Sequence, residues 1–211
     1  MNRLFTALAV AMLSFAALLP APAFAQAGNP DAVDLPPFFA ETFLNFPEDA
    51  ASAKKGGKRL LLYFGQDGCP YCKTLLETNF TQKAIVDKTK AKFVAVGLNI
   101  WGDRETVWFD GVTRKEKDLA KHLKVQFTPT ILLLDEKGAT IARINGYYPP
   151  HRFSAALDYS AQRLEGKTGF AEHMQAVPAT GARAALTDEP FFLKAAAGQP
   201  LDLRRKPGGK P

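Results

Sequence analysis

Two cysteines, Cys69 and Cys72, stand three positions apart, directly after the apolar run Leu60-Leu61-Leu62-Tyr63-Phe64 and a glycine-bounded turn, Gly65 to Gly68. Placed at random in 211 residues, two cysteines would take this separation about once in a hundred times, so the spacing is itself a signal. An apolar run without alternation is what a strand buried on both faces requires. Pro70 suits a first helical position, and Lys73-Thr74-Leu75-Leu76-Glu77 continues with helix formers. Strand, tight turn, C-x-x-C and helix make one device, because the free N–H groups and partial positive charge of a helix start favour a thiolate over a thiol. Cys69, at that start, is the candidate nucleophile. Cys72, one turn later, is placed to attack a mixed disulfide formed at Cys69. Pro70 has no N–H, so the donors facing the Cys69 sulfur are expected from Tyr71 and Cys72.

Two other uses of the pair are weaker. A purely stabilising disulfide closing a four-residue loop gains only about 2 kcal/mol, against about 3 for a fifteen-residue loop. A copper or zinc site would need a second C-x-x-C or nearby histidines. The three histidines, His122, His151 and His173, show no ligand spacing to the pair and read as surface residues. No metal and no cofactor is expected.

The flanking sequence alternates strand-like and helix-like stretches. Pro47 with Glu48 and Asp49 opens a short helix, Lys54 and Lys55 close it, and Gly56-Gly57 stops it. Phe93 to Ile100 is a second buried strand and Glu116 to Leu123 a helix. Ile131 to Leu134 and Thr140 to Ile144, joined by Asp135-Glu136-Lys137-Gly138, form a hairpin. His151 to Leu164 has apolar residues at helical spacing, and beyond Gly166 the signals weaken. Trp101 to Lys115 reads as a polar and aromatic connection in which Trp101, Trp108 and Phe109 either cap a core or face a substrate. Asn79-Phe80-Thr81 matches a glycosylation sequon, but Asn79 near a helix end reads more simply as a cap.

Residues 1–25 carry Arg3 as their only charge, an apolar run from Leu4 to Leu19, Pro20 and Pro22, and then Ala23-Phe24-Ala25. This is the pattern of a cleaved secretory signal, which places the mature protein in an oxidising compartment, the periplasm. The expected organisation is a signal peptide over 1–25, an extended lead-in over 26–46, a domain over 47–165, and a C-terminal extension over 166–211 with a disordered basic tail. Composition agrees with a globular body: 46% of residues are hydrophobic and 23% charged, which excludes disorder and collagen. The formal charge of +6 raises the question of a nucleic-acid partner. Its excess lies in Arg3, Arg204, Arg205, Lys206 and Lys210; without those five, 22 bases face 21 acids. No nucleic-acid partner is expected.

Strand-CPYC-helix, then strand, helix, Thr128-Pro129-Thr130 and the hairpin ILLLDEKGATIARINGYY resemble the thioredoxin-like superfamily from about Pro47 to Leu164. The resemblance is greatest to exported bacterial thioredoxin-like proteins of the SoxW type. It implies an α/β fold with a central mixed sheet flanked by helices, and a cis Pro129 lying against the cysteines. It also implies a Thr128 backbone able to pair with an extended substrate, with Pro70 and Tyr71 completing the substrate-binding surface. Two departures stand out. Thioredoxins proper have a buried Asp six residues before the first cysteine, where this chain has Tyr63. The usual Lys of the neighbouring strand is missing, with Gly97 in the matching stretch. Asp67 in the turn is a candidate helper for the proton of Cys72, although a solvated turn residue is the simpler reading.

The function expected from this is a monomeric periplasmic thiol-disulfide oxidoreductase of the reductase type, Cys69 attacking and Cys72 resolving. Its partners would be exported cysteine-containing proteins and a membrane thiol electron donor of the DsbD or CcdA type. The alternatives are a client-binding module without turnover, a disulfide-forming oxidant, and a metal-delivery protein.

Overall fold

A computed structural model describes residues 34–178. The expected signal peptide and the basic tail lie outside the described residues.

Helix α1, Phe46–Lys55, starts where the Asn45 side chain accepts the Glu48 N–H, and has Glu48 and Asp49 in its first turn and Lys54 and Lys55 in its last. Charges of these signs match the helix dipole. Strand β1, Arg59–Gly65, is buried at all seven positions. It is a central strand of a four-stranded mixed sheet of order β2-β1-β5-β6, with β2 Phe93–Asn99, β5 Thr130–Leu134 and β6 Thr140–Asn145. Strands β1 and β2 run parallel, with Tyr63 opposite Gly97; β1–β5 and β5–β6 are antiparallel. Alternation along β1 feeds two cores. Leu61 and Tyr63 join Ile131, Leu133, Phe80, Phe153 and Leu157 on one face, while Leu60, Leu62 and Phe64 join Phe46, Leu98, Trp108 and Leu119 on the other. That double burial is why the strand reads as an unbroken apolar run.

Helix α2, Pro70–Thr74, runs into a π-helical turn, Leu75–Asn79, and is followed by α3, Lys83–Lys92. The stretch read as a bare connection after β2 instead contains an antiparallel pair, β3 Glu105–Val107 and β4 Thr113–Lys115. Next come α4, Glu116–His122, α5, Pro150–Ala161, and a short α6, Phe170–Gln175. Asn79, read as a helix cap, is instead the last residue of the π-helical turn, with Phe80 at the cap. It is fully buried and donates from Nδ2 to the Tyr148 carbonyl at 2.9 Å, a position closed to any sugar.

Far from the cysteines, at the start of β1, Arg59 is only 5% exposed. It donates to both carboxylate oxygens of Glu136 at 3.0 and 3.1 Å, to Glu165 at 2.5 Å and to the Ser160 carbonyl at 2.8 Å. A buried guanidinium satisfied this fully fixes β1 against the hairpin and the end of α5.

Candidate functional site

The end of β1 delivers the chain through Gly65 and Gly68, the latter at φ +68°, a backbone conformation that favours glycine. Cys69 follows as the N-cap of α2, in extended conformation, with Pro70 at the first helical position. Cys69 and Cys72 form a disulfide with Cα atoms 5.2 Å apart. Cys69 is 5% exposed and Cys72 fully buried, so of the two residues only the one at the helix start has any opening to solvent.

The Cys72 N–H donates to the Cys69 sulfur at 3.1 Å. The second donor is not the Tyr71 N–H anticipated from the sequence. It is the Thr128 hydroxyl, 3.4 Å from the same sulfur, from a residue 59 positions later in the chain. The Thr128 carbonyl oxygen lies 3.5 Å from that sulfur. The Thr128–Pro129 peptide bond is cis, and the segment is fixed on both sides. The Thr130 hydroxyl donates to the Phe127 carbonyl at 2.7 Å, and the Gly146 N–H to the Pro129 carbonyl at 2.7 Å. Tyr71 is 63% exposed and Pro70 is exposed, whereas Pro129 is buried. Cys69, Cys72 and Thr128 therefore meet directly, with Pro70 and Tyr71 on the outer surface of the same turn.

Chemically, two donors and one acceptor face the Cys69 sulfur. A thiolate there would gain charge-assisted hydrogen bonds from the two donors, against the opposing carbonyl oxygen. Cys72, beneath, has no such environment.

At the position of the missing Asp, Tyr63 is buried, and burial alone pushes its hydroxyl up to about 12. Its ring folds over Gly65, where a Cβ would collide with it, and stacks edge-on against Phe39. The space opposite, above Gly97, is taken by Leu35, whose side chain occupies the room a Cβ at 97 would need. Residues 35–40 thereby cover the edge of β2, with the Ala40 N–H donating to the Ala95 carbonyl at 2.7 Å. Tyr63, Leu35, Asp67, Asn99 and Arg104 line a cavity of about 160 Å³ beneath the turn. Asp67 thus faces this cavity with Tyr63 rather than bulk solvent alone.

The three aromatics of the connection after β2 separate. Trp108 is 7% exposed and packs edge-on against Phe46 and Phe109, a core cap. Trp101 is 67% exposed, and its indole N–H donates to Gln66 Oε1 at 2.9 Å. Among the described residues no cluster of three or more His, Cys, Asp or Glu side chains is arranged to hold a metal ion.

The sequence pattern of the thioredoxin-like domain matches residues 46–161. A thioredoxin-fold protein from Helicobacter pylori superposes with a TM-score of 0.56 at 28% identity, covering 66% of this chain and 89% of that one. A DsbH oxidoreductase is 17% identical, with a TM-score of 0.44 and coverage of 65% and 95%. A thioredoxin from Thermus thermophilus is 23% identical, with a TM-score of 0.41 and coverage of 65% and 88%. No curated protein matches the sequence.

Proposed function

The chain belongs to the thioredoxin-like domain family and carries the cysteine pair of a disulfide oxidoreductase; from that premise we propose that it reduces disulfides of exported proteins in the periplasm. The observation that carries the reading is the asymmetry of the pair: Cys69 has the N-cap position, the residual opening and two donors, while Cys72 is fully enclosed. In the reduced protein the Cys69 thiolate attacks one sulfur of a client disulfide, forming a mixed disulfide and releasing the other client sulfur as a thiol once it takes a proton. Cys72 loses its proton and attacks Cys69, which releases the second client thiol and leaves the Cys69–Cys72 disulfide. Two electrons and two protons have passed to the client. The extended client backbone would pair with Thr128, beside Pro129, with Pro70 and Tyr71 under its flanks.

The export pattern over residues 1–25 supports the location, and the neutral folded body supports protein clients over nucleic acid. A membrane thiol donor of the DsbD or CcdA type would restore the dithiol, as it would for a SoxW-type protein. The donors support the direction. Pro70 removes one N–H from the turn around Cys69, and a strong oxidant needs its reduced form held unusually stable. Thr128 restores one donor, so the expected potential lies between thioredoxin, at about −270 mV, and protein disulfide isomerase, at about −180 mV. Equilibration of the Cys69/Cys72 couple with glutathione buffers measures it. A value close to that of DsbA, about −120 mV, would replace the reductase reading with an oxidase.

A further inference from the structure

Trp101 is an exposed indole that the fold holds still. The Trp101 backbone N–H donates to Asn99 Oδ1 at 2.9 Å, the Ile100 N–H to the Gly65 carbonyl at 3.0 Å, and the Gly102 N–H to the Asn99 carbonyl at 2.9 Å. Behind this turn sits Glu116, 2% exposed. Its carboxylate accepts the Asn99 N–H at 3.0 Å, the Arg104 N–H at 3.3 Å and the Arg104 guanidinium at 2.6 Å. Gly102 is required, because a Cβ there would enter the Glu116 carboxylate. The free end of the indole is fixed as well, by its hydrogen bond to Gln66, three residues before Cys69.

A single exposed Trp is unremarkable on most surfaces. Here the rotamer freedom that contact with a partner would cost has already been removed, and rigid aromatics of this kind dominate binding energy at interfaces. The placement of the other exposed apolar side chains points the same way. Among the described residues six large ones are exposed. Tyr71 lies between the two cysteines, Phe127 precedes Thr128, and Trp101 is tied to the turn leading into Cys69. Two of the six therefore lie in or beside the segments that form the site, and a third is hydrogen-bonded to the turn that leads into it.

Resting on the oxidoreductase reading above, we propose that Trp101 is a specificity-determining residue: its indole receives a large apolar side chain flanking the cysteine of an extended polypeptide client, and Gln66 is a positioning residue that aims it. A small disulfide, lacking that side chain, gains nothing from Trp101. Polypeptide disulfides are thereby selected over low-molecular-weight ones.

The test compares insulin with 2-hydroxyethyl disulfide as substrates for the full chain, with dithiothreitol as reductant. Trp101→Ala is expected to lower the ratio of kcat/KM for insulin to that for the small disulfide about tenfold, through KM. Trp101→Phe keeps an aromatic face and should restore most of the ratio. Gln66→Ala, which removes the acceptor of the indole N–H and leaves the ring and the cysteines themselves in place, should fall between. If Trp101 only supports the turn, both substrates decline together and the ratio is unmoved in every variant, which overturns the proposal. A native protein that reduces neither disulfide would instead overturn the oxidoreductase reading on which the proposal rests.

Discussion

Replacing Thr128 by Val isolates one hydrogen bond at the Cys69 sulfur. Valine keeps the branched shape and the backbone of the segment, including the bonds to the Phe127 and Pro129 carbonyls, and deletes only the hydroxyl 3.4 Å from Cys69. The disulfide is uncharged and loses little. The thiolate loses a charge-assisted donor, a loss of about 1.5 to 3 kcal/mol for a hydrogen bond to a charged group. At this length the lower end applies, and about 1.4 kcal/mol corresponds to one pKa unit. The Cys69 thiol of Thr128→Val should therefore titrate roughly one unit higher than that of the native protein. Destabilising the reduced form also makes the couple more negative, by about 30 mV for a two-electron exchange. Iodoacetamide alkylation rates against pH give the first quantity and glutathione equilibration the second. If neither moves, or the potential becomes less negative, the hydroxyl does not act on the sulfur and the donor count at Cys69 is wrong.

Three further outcomes test other parts of the structure. Cys72→Ser should accumulate mixed disulfides through Cys69 on non-reducing gels, while Cys69→Ser should trap nothing, because attack and resolution belong to different sulfurs. Arg59→Ala should cost about 1 to 3 kcal/mol in urea denaturation, since it leaves Glu165 without its cation and Glu136 with Arg163 alone. The hydrogen bond from Arg59 chiefly holds the Glu136 carboxyl down to about 2, below its unfolded value of about 4.3. Its contribution is thus complete above about pH 5 and lost as pH falls toward 2, and the urea midpoint of Arg59→Ala should depend less on pH in that window. Gly97→Ala should cost about 1 to 3 kcal/mol by forcing Leu35 out. Adding Leu35→Ala should recover part of that loss, whereas strictly additive effects would separate the two residues.

Legibility in the sequence followed the number of partners each signal needed. Strand β1 was readable because burial on both faces requires apolar residues at every position, and the cysteine pair because spacing and helix start are local. Helix α3 was not: its buried positions are Ile85 and Thr89, too narrow a stripe to stand out in a lysine-rich segment. Strands β3 and β4 have three residues each, too few to show a period of two. The fates of Trp101 and Trp108 depend on what tertiary structure brings to them, Gln66 in one case and Phe46 in the other. The same holds for the Thr128 hydroxyl: the Thr-Pro pair was visible, but its donor role needs a contact across 59 residues.

The exchange of a buried Asp for Tyr63 changes how the second half of the reaction can proceed. A buried carboxylate would take the proton of the resolving thiol and would itself titrate near neutrality, because burial raises an acid. Burial raises Tyr63 too, but to about 12, so its hydroxyl stays neutral throughout the working range and cannot act as that base. With Leu35 above Gly97, the neighbouring strand supplies no lysine to lower it. Cys72 is fully enclosed, so its proton must leave with the departing client thiolate or through water. The release of thiol from a Cys69 mixed disulfide, followed in single turnover from pH 5 to 9, should then rise along one titration, that of Cys72. Tyr63→Asp, by placing a carboxyl beneath the turn, should add a second inflection below it. A second inflection already present in the native protein between pH 5 and 8 would overturn this account.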